Sequence, residues 1–422
     1  MTTHGERELD IVLVGATGFV GRLTAEYLAE HASDGVRIGL AARSGARLEA
    51  VRAGLGERAA GWPLFVVDTT DEEAVTDLAL RARVVATTVG PYERYGRSLA
   101  AACAMSGTHY ADLTGEILFA RWSIDANEDE AVRTGARIVH SCGFDSIPSD
   151  LGVLLTAERA AADGEGTLAD TTLYVRSLRG GFSGGTVDSM RAQAVTAGSS
   201  PQARRVIGDS YALSPARADE PPSRRRPSRP RALDTVLARL PVGRAAASGR
   251  FTAPFVMASY NTRVVRRSNA LTGWSYGRDF RYRELTDTGS GARGLVGAAA
   301  LSAGLGAVAG AMMLRPTRAL LDRVLPKPGE GPSPQRMAGG RFVMDIEATT
   351  TTGARYRTRV AAEKDPGYSG TAVMLGESAL ALALDEARLP DRAGVLTPAT
   401  GIGMPLVDRL RARGFTLATE RR

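Results

Sequence analysis

The sequence has little cysteine, histidine or lysine. Its 422 residues include two cysteines, Cys103 and Cys142, four histidines, and only the lysines Lys327 and Lys364. The cysteines form no C-x-x-C pair, so we expect neither a disulfide framework nor a structural zinc site, and we predict no bound metal. Neither lysine lies four residues after a tyrosine. This excludes the Tyr-x-x-x-Lys pair of short-chain dehydrogenases in its usual form.

Positive charge comes almost entirely from arginine. The net charge is +7, and residues 222–231 (PSRRRPSRPR) are the densest basic run. We expect a solvated loop that could also meet an acidic partner, either a carrier protein or anionic phospholipid head groups. No aromatic residues interrupt the run and no nucleic-acid-binding motif accompanies it, so we do not expect nucleic acid as a partner. The first ten residues lack the apolar stretch of a secretory signal, which favours a cytoplasmic protein.

The first third of the sequence alternates short apolar runs with helical patterns. Strands are predicted over residues 9–14, 37–42, 64–68, 83–89, 108–113 and 136–141, and helices over 18–30, 46–54, 71–80, 97–105 and 127–134. This alternation is typical of a doubly wound parallel sheet. The predicted fold class is therefore α/β, with an N-terminal Rossmann-type sheet and a second α+β domain that contains a mixed or antiparallel sheet.

The pattern changes after about residue 148. We predict a Rossmann-type domain over 1–148, an α+β domain for substrate binding or dimerisation over 149–370, and a helical segment over 371–422 that packs back on the first domain. Strands are predicted over 173–177, 342–350 and 356–362, the last two forming a hairpin around Thr352 and Gly353. Proline, arginine and serine over 214–231 predict a loop.

Residues 295–314 (LVGAAALSAGLGAVAGAMML) contain no charge and are flanked by arginines. Twenty helical residues would cover roughly 30 Å, the thickness of a bilayer core. Alanine and glycine gain little from lipid, however, so a buried hairpin or an oligomer-interface helix is the first interpretation. Peripheral membrane insertion and a true membrane span remain the alternatives.

A glycine-rich turn follows the first predicted strand directly. It consists of Gly15, Ala16, Thr17, Gly18, Phe19, Val20 and Gly21. In this G-x-x-G-x-x-G pattern the glycines let backbone amides approach a pyrophosphate, and the following helix N-terminus favours its negative charge. The position between a strand and a helix at the start of a βαβ unit predicts a dinucleotide site.

The end of the second predicted strand selects the cofactor. An NAD site usually has Asp or Glu there, to bind the ribose hydroxyls. This sequence has Arg43 and Ser44 instead. A guanidinium suits the 2′-phosphate dianion, so we predict NADP(H). Asp68, after the third strand, either reaches the adenine or caps the next helix.

Residues after the fourth strand should line the cofactor crevice, because carboxyl ends of parallel strands face it. These residues are Thr88, Val89, Gly90 and Pro91. Candidates for acid–base chemistry are Tyr92, Asp112, Glu116, Cys142 and Asp145. Tyr92 and Asp145 are our two catalytic candidates, although Tyr92 could be a half-buried aromatic and Asp145 could cap a helix. Hydride transfer itself needs no covalent protein chemistry.

At these residues the sequence resembles the saccharopine dehydrogenase-like oxidoreductases. The resemblance lies in GATGFVG, VGPY (89–92), GTHYADLTGE (107–116), SCGFDSIPSD (141–150), DPGY (365–368) and GVLTP (394–398). Within that family it is most similar to the trans-acting enoyl reductases of polyketide-derived glycolipid biosynthesis. This similarity implies NADPH-dependent reduction of a C=C bond on a chain carried by a synthase, and a link to the inner face of the plasma membrane.

Two other functions stay open at this point. One is a saccharopine-type amino-acid dehydrogenase, whose dicarboxylate substrate would require clustered basic side chains in the crevice. The other is a non-catalytic NADP-binding protein of a lipid surface, which the missing catalytic dyad favours. A homodimer is compatible with each of them.

Overall fold

The structure is a computed structural model, which describes residues 7–180, 184–220, 242–245, 248–313 and 331–422. Two seven-stranded sheets form its framework. The basic run 222–231 lies outside the described residues. Within the predicted loop 214–231, residues 214–220 include a short 3₁₀ turn, Arg217–Asp219.

The first sheet is entirely parallel. Its strands are β1 (Leu9–Val14), β2 (Ile38–Ala42), β3 (Leu64–Val66), β4 (Ala82–Thr87), β5 (His109–Ala111), β6 (Arg137–Val139) and β13 (Gly394–Leu396), in the spatial order β13-β6-β5-β4-β1-β2-β3. All six residues of β1 are buried, as expected for a central parallel strand covered on both faces. The predicted Rossmann-type sheet is confirmed.

Six helices accompany the first sheet: α1 (Phe19–His31), α2 (Gly45–Gly54), α3 (Glu72–Arg81), α4 (Tyr92–Tyr95), α5 (Arg97–Ser106) and α6 (Ile117–Thr134). Helix α6 begins ten residues before the predicted 127–134. Its first half contains β-branched and aromatic residues, which have modest helix propensity. Ile117, Phe119 and Ala120 are buried there, so packing overrides that propensity.

The second sheet is mixed, as predicted. Its strands are β7 (Leu168–Arg179), β8 (Gly243–Arg244), β9 (Phe251–Pro254), β10 (Arg281–Gly289), β11 (Arg341–Thr350), β12 (Arg355–Ala362) and β14 (Thr416–Arg421), in the order β14-β12-β11-β7-β10-β9-β8. Strands β7 and β10 are parallel, and the other pairs are antiparallel. The hairpin predicted around Thr352 and Gly353 joins β11 to β12.

The remaining helices are α7 (Ile147–Ala162), α8 (Gly184–Ser199), α9 (Pro201–Gly208), α10 (Ala258–Leu271), α11 (Gly291–Met313), α12 (Pro334–Ala338), α13 (Thr371–Leu384), α14 (Pro398–Gly401) and α15 (Met404–Ala412). Helix α13 packs on α1 and on strand β4 of the first sheet. Residues 371–422, expected to be helical, also contain β13 and β14, and so extend one edge of each sheet.

Helix α11 contains the uncharged run up to Met313. Gly294, Ala298 and Ser302 are buried on the side that meets β9 and β10, but Val296 is 66% exposed. Only 17% of the residues in Gly291–Val308 are buried. The interpretation as a buried hairpin is therefore wrong. The described residues of the run form one helix, and only one face of that helix packs against β9 and β10. Among the described helices, α11 alone is long and apolar enough to cross a membrane, which by itself is weak evidence.

Candidate functional site

The glycine turn lies where the strand order reverses. Strand β1 is flanked by β2 on one side and β4 on the other, and the turn follows its carboxyl end. Open parallel sheets bind ligands at such a switch point. Gly15 has φ +88°, and a Cβ there would lie 2.7 Å from the Oγ1 of Thr88. A Cβ on Gly21 would lie 2.0 Å from the carbonyl oxygen of Gly15. Packing therefore requires both of these glycines.

Gly18 is different, because a Cβ there would meet only the carbonyl oxygen of Gly15, at 3.3 Å. It is the N-cap of α1 and makes no side-chain cap. The first amides of a helix have no acceptor within the helix, so those of α1 can bind an anion. The side of Gly18 that a side chain would fill is thus open for a pyrophosphate.

Arg43 and Ser44 follow β2, as predicted. Arg43 is exposed, and Ser44 caps α2 by accepting a hydrogen bond of 3.4 Å from the amide of Arg47. Asp68 accepts hydrogen bonds from the amide and hydroxyl of Thr70, at 3.0 and 2.8 Å. These bonds, with a smaller contribution from Arg43, hold the pKa of Asp68 below its ordinary value.

The alternative role of Asp68, capping α3, is wrong. The cap is Asp71, whose carboxylate accepts a hydrogen bond of 3.1 Å from the amide of Ala74. Asp68 lies three residues before that cap and makes a local turn with Thr70. The side chain of Asp68 lies near Arg43, and both residues follow the carboxyl ends of strands in the first sheet, as the glycine turn does.

The segment after β4 packs on the glycine turn. The hydroxyl of Thr88 donates a 3.2 Å hydrogen bond to the carbonyl of Gly15, and a Cβ on the same glycine would lie 2.7 Å from Cγ2 of Val89. Thr88 and Gly90 line the wall of a cleft with a cavity volume of about 190 Å³, and Pro91 is the N-cap of α4.

The cleft lies between the two sheets. The first domain contributes Gly18, Phe19 and Val20, the segment after β4, and residues 143–145. The second domain contributes the end of β7 and the first half of α8, and residues 366–368 complete the wall. The described wall contains the apolar side chains Leu113, Phe144, Leu178, Met190 and Met257. It contains no lysine, arginine or histidine, and its one carboxylate is Asp145.

Tyr92 contributes to the wall, but its hydroxyl is held by the backbone. That hydroxyl donates to the carbonyl of Thr87 at 3.2 Å and accepts from the amide of Leu113 at 3.1 Å. Burial raises the pKa of Tyr92 well above its ordinary value. Asp145 is partly buried in the same wall, and the residue at the N-cap of α7 is its neighbour Ser146.

Asp112 belongs to a buried network behind the cleft. It accepts hydrogen bonds from the amides of Thr114 and Ser141, and its other oxygen lies 2.7 Å from Nδ1 of His140. The opposite nitrogen of His140 lies 2.9 Å from Oγ of Ser123. All five side chains are at least 94% buried, so this chain of contacts supports the loops after β5 and β6.

Glu116 and Cys142 are also buried. The carboxylate of Glu116 accepts hydrogen bonds from the amides of Tyr92 and Glu93, at 2.8 and 2.9 Å, and from the hydroxyl of Ser189. It therefore caps α4 and ties it to α8. Burial raises the pKa values of Glu116 and of the Cys142 thiol.

Sequence reasoning assigned no role to the wall residues beyond residue 150. Ser189, Met257, Tyr368 and Thr371 all line the cleft. The one sequence feature that could have indicated them is the DPGY run (365–368). Its Asp365 is the N-cap of a π-helical turn, Pro366–Gly370. Among the described residues no cluster of His, Cys, Asp or Glu could hold a metal ion.

Comparison with known proteins identifies the family. Residues 11–139 match the saccharopine dehydrogenase NADP-binding domain. The chain is 51% identical over 423 residues to a trans-acting enoyl reductase of Mycobacterium tuberculosis and 46% identical over 431 residues to one of Mycobacterium ulcerans, with 99% of each chain covered in both cases. The fold matches the apo saccharopine dehydrogenase (L-Glu forming) of Saccharomyces cerevisiae with a TM-score of 0.53 at 14% identity, covering 98% of this chain and 100% of that one. The chain therefore belongs to the trans-acting enoyl reductases, and it is an NADP-dependent oxidoreductase with a saccharopine dehydrogenase-like fold.

Proposed function

We propose that this chain reduces a carbon–carbon double bond of an acyl or polyketide chain during lipid or glycolipid biosynthesis. The observation that carries the proposal is the composition of the cleft wall, which is largely apolar and contains no basic side chain among its described residues. A dicarboxylate substrate would leave its charges without counter-ions there, at a large desolvation cost. This argues against a saccharopine-type dehydrogenase.

The chain's own residues fit the cofactor. Gly18 leaves room for the pyrophosphate at the open end of α1, and exposed Arg43 with Ser44 stands where the 2′-phosphate would lie. Asp68, beside Arg43, is within reach of the adenosine end. NADPH, when bound, supplies a hydride. The protein then has to hold the acyl chain, exclude water and provide a proton.

The test is NADPH oxidation by the purified protein with two substrate panels. One contains 2-enoyl thioesters of increasing chain length, and the other contains 2-oxo acids paired with amino acids. We expect oxidation with the enoyl thioesters alone, with activity rising with chain length. Oxidation with the oxo-acid pairs would overturn the proposal, and tight NADPH binding without oxidation by either panel would favour a non-catalytic role.

We also propose where the protein meets its partners. The exposed apolar residues of α11, flanked by Arg293 and Arg315, suit the inner face of an anionic membrane, with the protein otherwise in the cytoplasm. The basic run 222–231 suits either lipid head groups or an acidic carrier protein that delivers the acyl chain.

A further inference from the structure

The cleft wall contains five described side chains with a hydroxyl group, and four of these donate their proton to the protein. Thr88 donates to Gly15, Tyr92 to the carbonyl of Thr87, and Ser189 to Glu116. Thr371 donates to the carbonyl of Pro366 at 2.8 Å. Each of these hydroxyls would have to break an existing hydrogen bond before it could donate to a substrate.

The fifth hydroxyl, that of Tyr368, is engaged differently. Its oxygen accepts a hydrogen bond from the amide of Gly184, the first residue of α8. An accepted bond occupies a lone pair and leaves the hydroxyl hydrogen free to donate. Within the described part of the chain no acceptor for that hydrogen is found. Burial raises the pKa of Tyr368, so the phenol keeps its proton at neutral pH.

Tyr368 is also well placed and firmly held. Its ring meets that of Phe19 edge to face, with centroids 5.1 Å apart, and Phe19 is the first residue of α1, next to Gly18. The amide of Tyr368 donates a 3.0 Å hydrogen bond to Asp365, and the side chain is 3% exposed. The ring of Tyr368 therefore packs beside the glycine turn, within the wall of the cleft.

We propose that Tyr368 is a catalytic residue that donates its phenolic proton to the substrate, an inference that rests on the proposed function. Hydride addition to the β-carbon of an enoyl thioester breaks the C=C π bond and moves an electron pair onto the thioester oxygen. Tyr368 stabilises that oxygen by hydrogen bonding and transfers its proton to it. The enol returns to the thioester, with the proton on the α-carbon, and the phenolate regains a proton from water. The substrate gains two electrons and two hydrogens, while NADPH becomes NADP⁺.

The test variant is Tyr368→Phe, which keeps the ring against Phe19 and removes only the hydroxyl. General acids typically contribute 10²–10⁴-fold to rate, so we expect NADPH oxidation with an enoyl thioester to fall by about 100-fold or more. The NADPH dissociation constant and the thermal midpoint should stay near wild type. The matched control is Tyr276→Phe, since Tyr276 is buried in the second domain away from the cleft wall.

A binding measurement separates this inference from the proposed function. We would titrate a saturated acyl-pantetheine thioester, which has the carbonyl but cannot be reduced, into both variants in the presence of NADP⁺. Loss of one hydrogen bond should weaken binding by about threefold to tenfold in Tyr368→Phe and leave Tyr276→Phe unchanged. An inactive wild type would contradict the proposed function only. Equal analogue affinity, or equal oxidation rates, for Tyr368→Phe and wild type would overturn the role of Tyr368.

Discussion

The side-chain amide of Asn261 donates a 3.1 Å hydrogen bond to the carboxylate of Glu284, in the buried space between α10 and β10. The Nδ2 atom of Asn261 also donates to the hydroxyl of Ser149 at 3.3 Å, and its Oδ1 atom accepts a hydrogen bond from the hydroxyl of Ser146 at 3.1 Å. A buried carboxylate therefore lies directly behind the SCGFDSIPSD run. Burial raises the pKa of Glu284 from 4.5 to about 7.

This shift predicts how stability depends on pH. Below about pH 4.5 Glu284 is neutral in both the folded and the unfolded chain, and its contribution is fully present. As pH rises to about 7 the unfolded chain releases the proton first, so the free energy of unfolding falls by up to roughly 3 kcal/mol. Glu284→Gln should remove this decrease. Urea unfolding at pH 5 and pH 8 is the measurement, and exposed Glu73→Gln is the control. Parallel pH profiles for wild type and Glu284→Gln would contradict the assignment.

Substitutions at two glycines of the same turn should have different effects, one on NADPH binding and the other on stability. Gly18→Val would fill the space meant for the pyrophosphate, so NADPH binding should be lost while the thermal midpoint stays close to wild type. Gly21→Val would force a side chain against the carbonyl of Gly15, so the fold itself should be destabilised. Calorimetric titration and thermal unfolding of both variants distinguish these outcomes. If Gly18→Val leaves the affinity for NADPH unchanged, the glycine turn does not bind the pyrophosphate.

Arg43 should determine the choice of cofactor. A charge-assisted hydrogen bond contributes roughly 1.5–3 kcal/mol to binding. Arg43→Ala should therefore raise the dissociation constant of NADPH by about one to two orders of magnitude and leave that of NADH nearly unchanged. Arg47→Ala is the matched control, since Arg47 is also exposed and lies on the adjoining helix α2. If both cofactors weaken together, Arg43 stacks on the adenine instead. A wild-type preference for NADH would be incompatible with the assignment.

Helix α11 should govern membrane association. A double change of Val296→Asp and Leu301→Asp puts charge on its exposed apolar residues and should abolish co-sedimentation with phosphatidylglycerol vesicles. Leu80→Asp, at an exposed position of α3, is the control. Deleting residues 222–231 should weaken the same binding at low salt, because each basic residue near an anionic surface contributes about 1 kcal/mol. Wild-type protein that stays in the supernatant at both low and high salt would rule this surface out.

The sequence predicted the first sheet well because its signals are local. A largely apolar β1, a glycine turn and the N-cap of α1 all lie within about fifteen residues of each other. The site's second wall could not be predicted in this way. The contact between Tyr368 and Phe19 depends on how distant parts of the chain pack together, and the hydrophobic periodicity of the sequence does not indicate that packing. Likewise, the 2.8 Å hydrogen bond from the amide of Ala399 to Asp150 joins the SCGFDSIPSD run to the residue directly after the GVLTP run, and the sequence showed these runs only as separate resemblances.

Strands β13 and β14 have a consequence for how the protein is made. Each extends one edge of a different sheet, and both are formed by residues that follow all the other strands in the sequence. During synthesis, therefore, the first sheet cannot reach its full width until residues 394–396 have left the ribosome, nor the second until residues 416–421 have done so. Until then β6 and β12 carry unpaired edges, which are the sites where a nascent chain is most exposed to unwanted strand pairing.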